Sequence, residues 1–592
     1  MTYRFDIQIL RGIAVILVVL FHLDIPFFSA GFLGVDAFFV ISGFLMALLY
    51  RQGHMGDFYR RRAARLLPAY FATIFFTLAV SAYVTLPSEH MQVAEQGLYA
   101  SILASNVGFW MQNSYFSKAE FNPLLHLWSL GVEIQFYLFM PLVVWLHRKM
   151  RLLLVLGALG SLAAALILVT ISPKTAFFLM PFRIWQFLLG VGIAWYLTHA
   201  GIPRFALPWL GMFALIAIVA LAIFYPVSGQ IQNIVLGHPS LAALLISLVT
   251  AGVLAFGIPG WAEFSVPGRV LGKFGDWSYS IYLAHFPVIV LTLYQPFSGT
   301  ILTPNNAGQT GLLVLGIALF STLLYQLFER RRIWSGSFKG TATLVGGTAL
   351  CAMVSLPVAR WGYDAQQLNI LSSFQDRAPY RCGKLIRILK PGAQLCELTG
   401  LPESAPALVL IGDSHADSVK ASFVRIAQER GYRLFFTIAN SPVVAAPPMA
   451  QLIPELIALE VKGAIVHFAS SNAEQAFELG LDAALREAGI ETVWLLDVPT
   501  FEANVVATIW NDPEVNTITP INFDPVTQLQ VALHAQDIAH FDPRPVFCTE
   551  VCTVMDAQKR PFYFDDDHLT LTGAQQLEQM MGTIIDQFRP EG

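Results

Sequence analysis

Charge is what this chain has least of. Asp, Glu, Lys and Arg make up 13% of its 592 residues, about half of what a soluble domain carries, while 55% of the residues are hydrophobic. That excludes a protein soluble throughout and leaves a polytopic membrane protein with something soluble attached. The net charge of −4 argues neither for nor against nucleic acid, and no nucleic-acid partner is expected. No cleavable signal peptide is expected: Arg11 interrupts any n-region, and no small-residue cleavage site follows His22 before Gly31. No internal repeat is visible. Cysteine is scarce, at five residues. Cys351 lies in an apolar run, whereas Cys382, Cys396, Cys548 and Cys552 lie in the polar C-terminal part. Four cysteines allow three pairings. The simplest joins Cys382 to Cys396 and Cys548 to Cys552 and requires an oxidising compartment. Four free cytosolic thiols are the alternative, and topology has to decide.

Apolar runs near membrane length occupy 9–23, 32–50, 67–86, 128–146, 152–171, 176–197, 205–224, 238–258, 274–294, 309–329 and 340–359, eleven in all. Basic residues crowd every second loop: Arg60, Arg61, Arg62 and Arg65, then Arg148, Lys149 and Arg151, and later Arg330, Arg331, Arg332 and Lys339. The alternate loops hold only Lys118 and Lys174. By the positive-inside rule the N-terminus is cytoplasmic. This alternation works only if 97–111, broken by Ser101, Ser105 and Asn106, is re-entrant or peripheral. An odd number of crossings then puts everything after 360 outside, in agreement with the disulfide reading.

Arg11 and His22 are eleven residues apart in the first run. Eleven helical residues turn through about 1100° and rise about 16 Å, so both side chains share one helix face, roughly half a bilayer apart. Such residues inside an apolar span are expensive and point to function. Asp36 and Glu133 are carboxylates at or within apolar spans, and each needs an arginine, a histidine or a wet cavity. Arg183 is one candidate partner. His22 is placed to act as general base. Arg11 with Arg62 and Arg65 suits the phosphates of an acyl-coenzyme A, although the arginine cluster could equally be a cytoplasmic anchor. His126 and His285 lie toward the outer ends of their runs, and His285 reads as interfacial packing.

From Trp361 the character changes. Residues 361–405 are polar and read as a linker or lid held by Cys382 and Cys396. From 407 short apolar strands (407–411, 433–438, 464–468, 492–496 and 545–547) alternate with helices, which argues for a parallel sheet covered on both faces. The first strand runs into Gly412-Asp413-Ser414-His415, and Asp565-Asp566-Asp567-His568 stands near the C-terminus. A serine needs a base; His568 can take its proton, and Asp565 can hold the imidazole. Together these motifs resemble the SGNH hydrolase/transferase fold. The resemblance implies a Ser414, His568 and Asp565 triad in an α/β/α, flavodoxin-like domain. The Ser414 backbone N–H is the safer oxyanion donor, with Asn440 and Asn472 as candidates.

Five membrane segments occur in order: Leu10-Arg11-Gly12, Gly34-Val35-Asp36, Arg60-Arg61-Arg62, His126-Leu127-Trp128-Ser129 leading to Glu133, and Ser278-Tyr279-Ser280-Ile281-Tyr282-Leu283-Ala284-His285. This set resembles the acyltransferase 3 family of integral membrane O-acyltransferases. Gln8-Ile9 stands where the family usually has Asp-Gly, and Trp185-Gln186 stands where a Trp-Glu pair is common. The resemblance implies a membrane domain over 1–335 with ten helices, an eleventh helix over 336–360, a periplasmic linker over 361–405 and an SGNH domain over 406–592. It implies a multi-pass protein of the bacterial inner membrane with the SGNH domain outside. No cofactor is expected to be bound permanently and no metal is expected; acetyl-CoA or another acyl-CoA is the donor. The acceptor is a hydroxyl of a surface or lipid-linked glycan, such as lipopolysaccharide O-antigen, exopolysaccharide or peptidoglycan. The rival readings are a transporter of an acylated lipid or glycan with an accessory esterase, and a membrane-anchored extracellular esterase.

Overall fold

The residues from Phe5 to His22 contain no proline and a single glycine, and they fold as helix α1 of the computed structural model. The structure describes residues 4–589 apart from 51–53, 113–119, 200–206, 228–236, 332–333, 335, 380, 383–389, 391, 439–448 and 522–523. Asn440 lies outside the described residues, as do Lys118 and Arg332 of the loop-charge argument. Two units, Met1–Trp361 and Gly362–Gly592, are taken one at a time.

In the first unit, helix covers each of the eleven apolar runs. Among the described residues, seven helical segments are long and apolar enough to cross a membrane, while Ile184–Thr198, Pro208–Phe224 and Leu241–Phe256 are shorter. The run at 176–197 is interrupted at Leu179, between Pro173–Phe178 and the 3-10 turn Met180–Phe182. Residues 97–111 fall in two helices, Pro87–Ser101 and Ser105–Met111, each shorter than a span. The helices that build the site are α1, α2 (Gly34–Leu49), α3 (Met55–Val84), α4 (Leu127–Lys149), α5 (Ile184–His199) and α6 (Val266–Thr292). Helices α1 and α6 meet backbone to backbone. A Cβ on Gly12 would stand 2.1 Å from the Leu271 carbonyl oxygen, and one on Gly275 1.8 Å from that of Gln8. Small residues at such crossings are how helices pack where lipid supplies no hydrophobic drive.

The second unit is built on a six-stranded sheet. Its strands are β1 (Leu395–Glu397), β2 (Ala407–Gly412), β3 (Arg433–Thr437), β4 (Val461–His467), β5 (Glu491–Leu495) and β6 (Ala539–Phe541), in the order β1-β3-β2-β4-β5-β6. All pairings are parallel except β1 with β3. Every residue of β2 is buried, as a central parallel strand covered on both faces requires. Two features depart from the sequence reading. Residues 545–547 are not a strand: Arg544–Phe547 is one helical turn, and the edge strand comes earlier, at Ala539–Phe541. Pro545 has no N–H to give a ladder. Leu395–Glu397, inside the stretch read as linker, adds an antiparallel edge, so the sheet is mostly rather than wholly parallel. Cys382 is bonded to Cys396, the middle residue of β1, and Cys548 to Cys552.

Candidate active sites

Strand β2 ends at Gly412, and helix α7 (Ser414–Arg430) begins two residues later. Strand β3 lies on one side of β2 and β4 on the other; the crevice at such a switch is where open α/β sheets bind ligands. A Cβ on Gly412 would lie 1.8 Å from the His467 carbonyl oxygen, so only glycine fits the turn. Asp413 caps the helix. Its carboxylate accepts the backbone N–H of His415 at 2.9 Å and of Ala469 at 3.1 Å, and the Asn472 amide at 2.7 Å. Ser414 is left exposed at a helix N-terminus, where backbone N–H groups and the dipole favour an oxyanion. Asn472 therefore has one amide hydrogen committed to Asp413.

His568 Nδ1 lies 2.9 Å from Asp565 Oδ2 and 2.6 Å from Asp567 Oδ1. Asp565 also accepts the His568 backbone N–H at 2.7 Å. Two carboxylates at Nδ1 hold the tautomer in which Nε2 is the base, and Nε2 makes no hydrogen bond among the described residues. Burial alone would lower the pKa of His568, but the hydrogen bonds to Asp565 and Asp567 outweigh it and raise it to about 9. A base must be neutral to accept a proton, so any acyl transfer that uses His568 as its base is expected to rise with pH up to about 9. Stability has the opposite sign. The folded pKa exceeds the ordinary 6.5, so the stabilisation is fully present below about 6.5 and is lost as pH rises through about 9. Rates with a chromogenic acetyl ester and thermal unfolding, both followed from pH 6 to 10, check the two directions.

In the first unit, Arg11, Arg62, Arg65 and Glu133 line one cavity of about 90 Å³ together with Ser42, Ser278 and Tyr282. The Arg11 guanidinium donates to Ser278 Oγ at 2.8 Å and to Gln8 Oε1 at 3.0 Å. Glu133 accepts from Ser42 at 2.5 Å and from the Tyr137 hydroxyl. His22, His126, His238 and Tyr282 line a second, smaller cavity. Tyr282 and Val35 stand in the wall of both. The Tyr282 hydroxyl donates to the His126 carbonyl oxygen at 2.9 Å and lies 2.6 Å from Ser129 Oγ.

The histidine tautomers follow from one carbonyl. His285 Nδ1 lies 2.7 Å from the Tyr282 carbonyl oxygen, which can only accept, so Nδ1 carries the proton. Neutral His285 then accepts at Nε2, which is 3.2 Å from His22 Nδ1. His22 must donate there, and its own Nε2 keeps the lone pair a base needs. His285, read from sequence as interfacial packing, is thus fully buried and orients His22.

Asp36 is not in the arginine cavity. Its carboxylate accepts from Arg183 at 2.9 Å and from the Gln186 amide at 2.7 Å, and lies 3.2 Å from His238 Nε2. Gln186 replaces the family's usual carboxylate with a donor that suits Asp36. Arg183 also lies over the rings of Trp128 and Phe177. Asp36→Ala would leave a fully buried guanidinium without its counter-ion, a change that costs about 3–5 kcal/mol. The expected result is a steep loss of monodisperse protein in detergent-solubilised thermal-stability assays.

The sequence reading missed Ser42 and His238 in the first unit and, although it singled out Gln186, did not join it to Asp36; in the second it missed Asp413, His415, Asp497 and Asp567 as partners. Asp497 had a signal, since it ends the apolar strand Thr492-Val493-Trp494-Leu495-Leu496 at the ligand edge of the sheet.

Residues 4–326 match the family model described as an acyltransferase domain, and 381–583 match the SGNH domain fused to such domains. A protein of Komagataeibacter xylinus, provisionally named membrane-bound transacylase BcsY, is 34% identical over 365 residues, which cover 60% of this chain and 90% of that one. The O-acetyltransferase OatA of Staphylococcus aureus is 33% identical over 307 residues, 48% of this chain and 50% of OatA, so the chain spans about half the length of that relative. The solved periplasmic domain of a lipopolysaccharide acetyltransferase from Salmonella ser. Paratyphi A aligns with a TM-score of 0.29 at 13% identity, covering 38% of this chain and 98% of that one. A many-helix apolar unit that matches the acyltransferase model, joined to an α/β unit that matches the SGNH model, makes this a multi-pass membrane acyltransferase. The chain belongs to the acyltransferase 3 family, in the branch that carries a C-terminal SGNH domain.

Proposed function

We propose that this protein transfers an acetyl group from cytoplasmic acetyl-CoA to a hydroxyl of a cell-surface polysaccharide, using one site in each unit. Two observations support the reading: an arginine-lined cavity that shares Val35 and Tyr282 with the cavity of His22, and an exposed Ser414 at a helix N-terminus whose neighbour His415 has its ring 4.8 Å from that of His568. In the first unit Arg11, Arg62 and Arg65 hold the donor's phosphates. His22 Nε2 takes the proton of the accepting hydroxyl as the C–S bond of the thioester breaks, and the thiolate leaves as coenzyme A. Glu133 balances the arginine charge. In the second unit Ser414 Oγ attacks the acetyl ester formed at the first site; His568 takes the Ser414 proton and gives it to the departing acceptor oxygen as that ester bond breaks, then takes the proton of a sugar hydroxyl attacking the acetyl-Ser414 carbonyl and returns it to Ser414 Oγ as the serine ester breaks. Eleven crossings with the N-terminus inside, and with Cys382–Cys396 and Cys548–Cys552 outside, fit this direction of flow. The names of the relatives support a glycan acceptor of the lipopolysaccharide or peptidoglycan kind.

The test is to supply membranes with acetyl-labelled acetyl-CoA and follow both free coenzyme A and label in surface glycan, with and without the protein. Protein-dependent release of coenzyme A together with glycan labelling supports the reading. Glycan acetylation that proceeds with no coenzyme A release favours a transporter of an already acylated lipid or glycan.

A further inference from the structure

Asp567 is shared between two imidazoles. Its Oδ1 lies 2.6 Å from His568 Nδ1, and its Oδ2 lies 3.4 Å from His415 Nε2. The other nitrogen of His415, Nδ1, lies 2.8 Å from Asp497 Oδ1. Asp497 is anchored in turn by the Ser470 backbone N–H at 2.7 Å and the Ser470 hydroxyl at 2.8 Å. Asp497, His415, Asp567 and His568 thus form a line from the end of β5 to the candidate base. The two rings are 4.8 Å apart. The side chains of His415 and Asp497 are each 2% exposed, so His415 is out of reach of a substrate.

We propose that His415 is a positioning residue: a buried imidazolium that takes part of the Asp567 charge and thereby sets where His568 becomes neutral and able to serve Ser414. This rests on the reading of Ser414 and His568 as the acyl-transfer pair of the second unit. The physical argument is that one carboxylate between two imidazoles cannot hold both as cations at full strength, because like charges this close disfavour each other's charged form. His415 faces a carboxylate at each ring nitrogen, Asp497 at Nδ1 and Asp567 at Nε2. Burial opposes its charge, but Asp497, then Asp567 and Asp413, outweigh burial and raise its pKa well above the ordinary value. His467, 6.2 Å away ring to ring, is kept neutral by burial, and Tyr563 is pushed up by burial. On the far side His568 faces Asp565 and Asp567, with Asp566 beside them. The charge on His415 therefore makes His568 give up its proton at a lower pH than Asp565 and Asp567 alone would allow.

The experiment is the pH dependence of 4-methylumbelliferyl acetate turnover by the full-length protein in detergent, read as the midpoint of the alkaline rise. His415→Gln is expected to move the midpoint up by about one unit and to lower the rate at pH 7.5 about tenfold, leaving the high-pH plateau in place. Asp497→Asn removes the counter-charge that keeps His415 protonated and is expected to move the midpoint the same way. Asp567→Asn withdraws an anion from His568 and should move it down. A rate lost evenly across pH, or an unchanged midpoint, in His415→Gln overturns the proposal. If that variant does not accumulate, Asp497→Asn decides by the same criterion. Ser414→Ala separates the two claims: turnover that survives it removes the underlying site reading, whereas turnover that it abolishes, with midpoints unmoved by the other variants, removes only the role of His415.

Discussion

Ser414→Ala is expected to reduce acetyl transfer to the glycan by roughly a thousandfold or more, the scale on which nucleophile removal acts when the rest of a triad is intact. The variant should fold. Ser414 is exposed, and the turn that presents it is built by its neighbours: Gly412 against the His467 carbonyl, and Asp413 tied to His415, Ala469 and Asn472. Removing one hydroxyl breaks none of those contacts. Quantifying ester-linked acetate on surface glycan from cells that carry the variant, with protein level measured in parallel, checks the result. Full acetylation at normal protein level would mean that the second unit is not a point of transfer.

The second large effect is expected at His22. His22→Ala should lower release of coenzyme A from acetyl-CoA by roughly 10²–10⁴-fold, the contribution of a positioned general base, with little change in acetyl-CoA binding, since the arginines are untouched. The partner His285 sharpens the test. His285→Gln can keep an acceptor 3.2 Å from His22 Nδ1, whereas His285→Leu keeps only volume. Retained release in the first and lost release in the second would tie the effect to the His22 tautomer rather than to packing. Equal loss in both would point to packing alone.

Much of this was legible in the linear chain because it depends on short-range pattern. Apolar runs of membrane length become helices wherever they occur. A strand-turn-helix around Gly412-Asp413-Ser414-His415 can be read from hydrophobicity and a breaker, and four of the five expected sheet strands lie within a few residues of the observed ones. The three-residue step from Asp565 to His568 is local as well, and the two side chains do meet.

Arg11 and His22 began as two polar residues on one helix face, and that much follows from 3.6 residues per turn. What they touch does not. Ser278 is 267 residues from Arg11 and His285 is 263 residues from His22; both are brought in because Gly12 and Gly275 let two helix backbones meet. From sequence, Arg183 is one candidate partner for a buried carboxylate; the fold pairs it with Asp36 and adds Gln186 and His238 from elsewhere in the chain. In the second unit, Asp497 reaches His415 only when β5 is laid beside β4 in the sheet. Sequence alone pointed to the two units, to most of their elements (not to 545–547 or 395–397) and to candidate residues for acyl chemistry, since these follow from composition and local geometry. Only the tertiary structure decided which polar groups share a cavity, which carboxylate neutralises which cation and which nitrogen keeps its lone pair, because burial forces each polar group to find a partner wherever in the chain that partner lies.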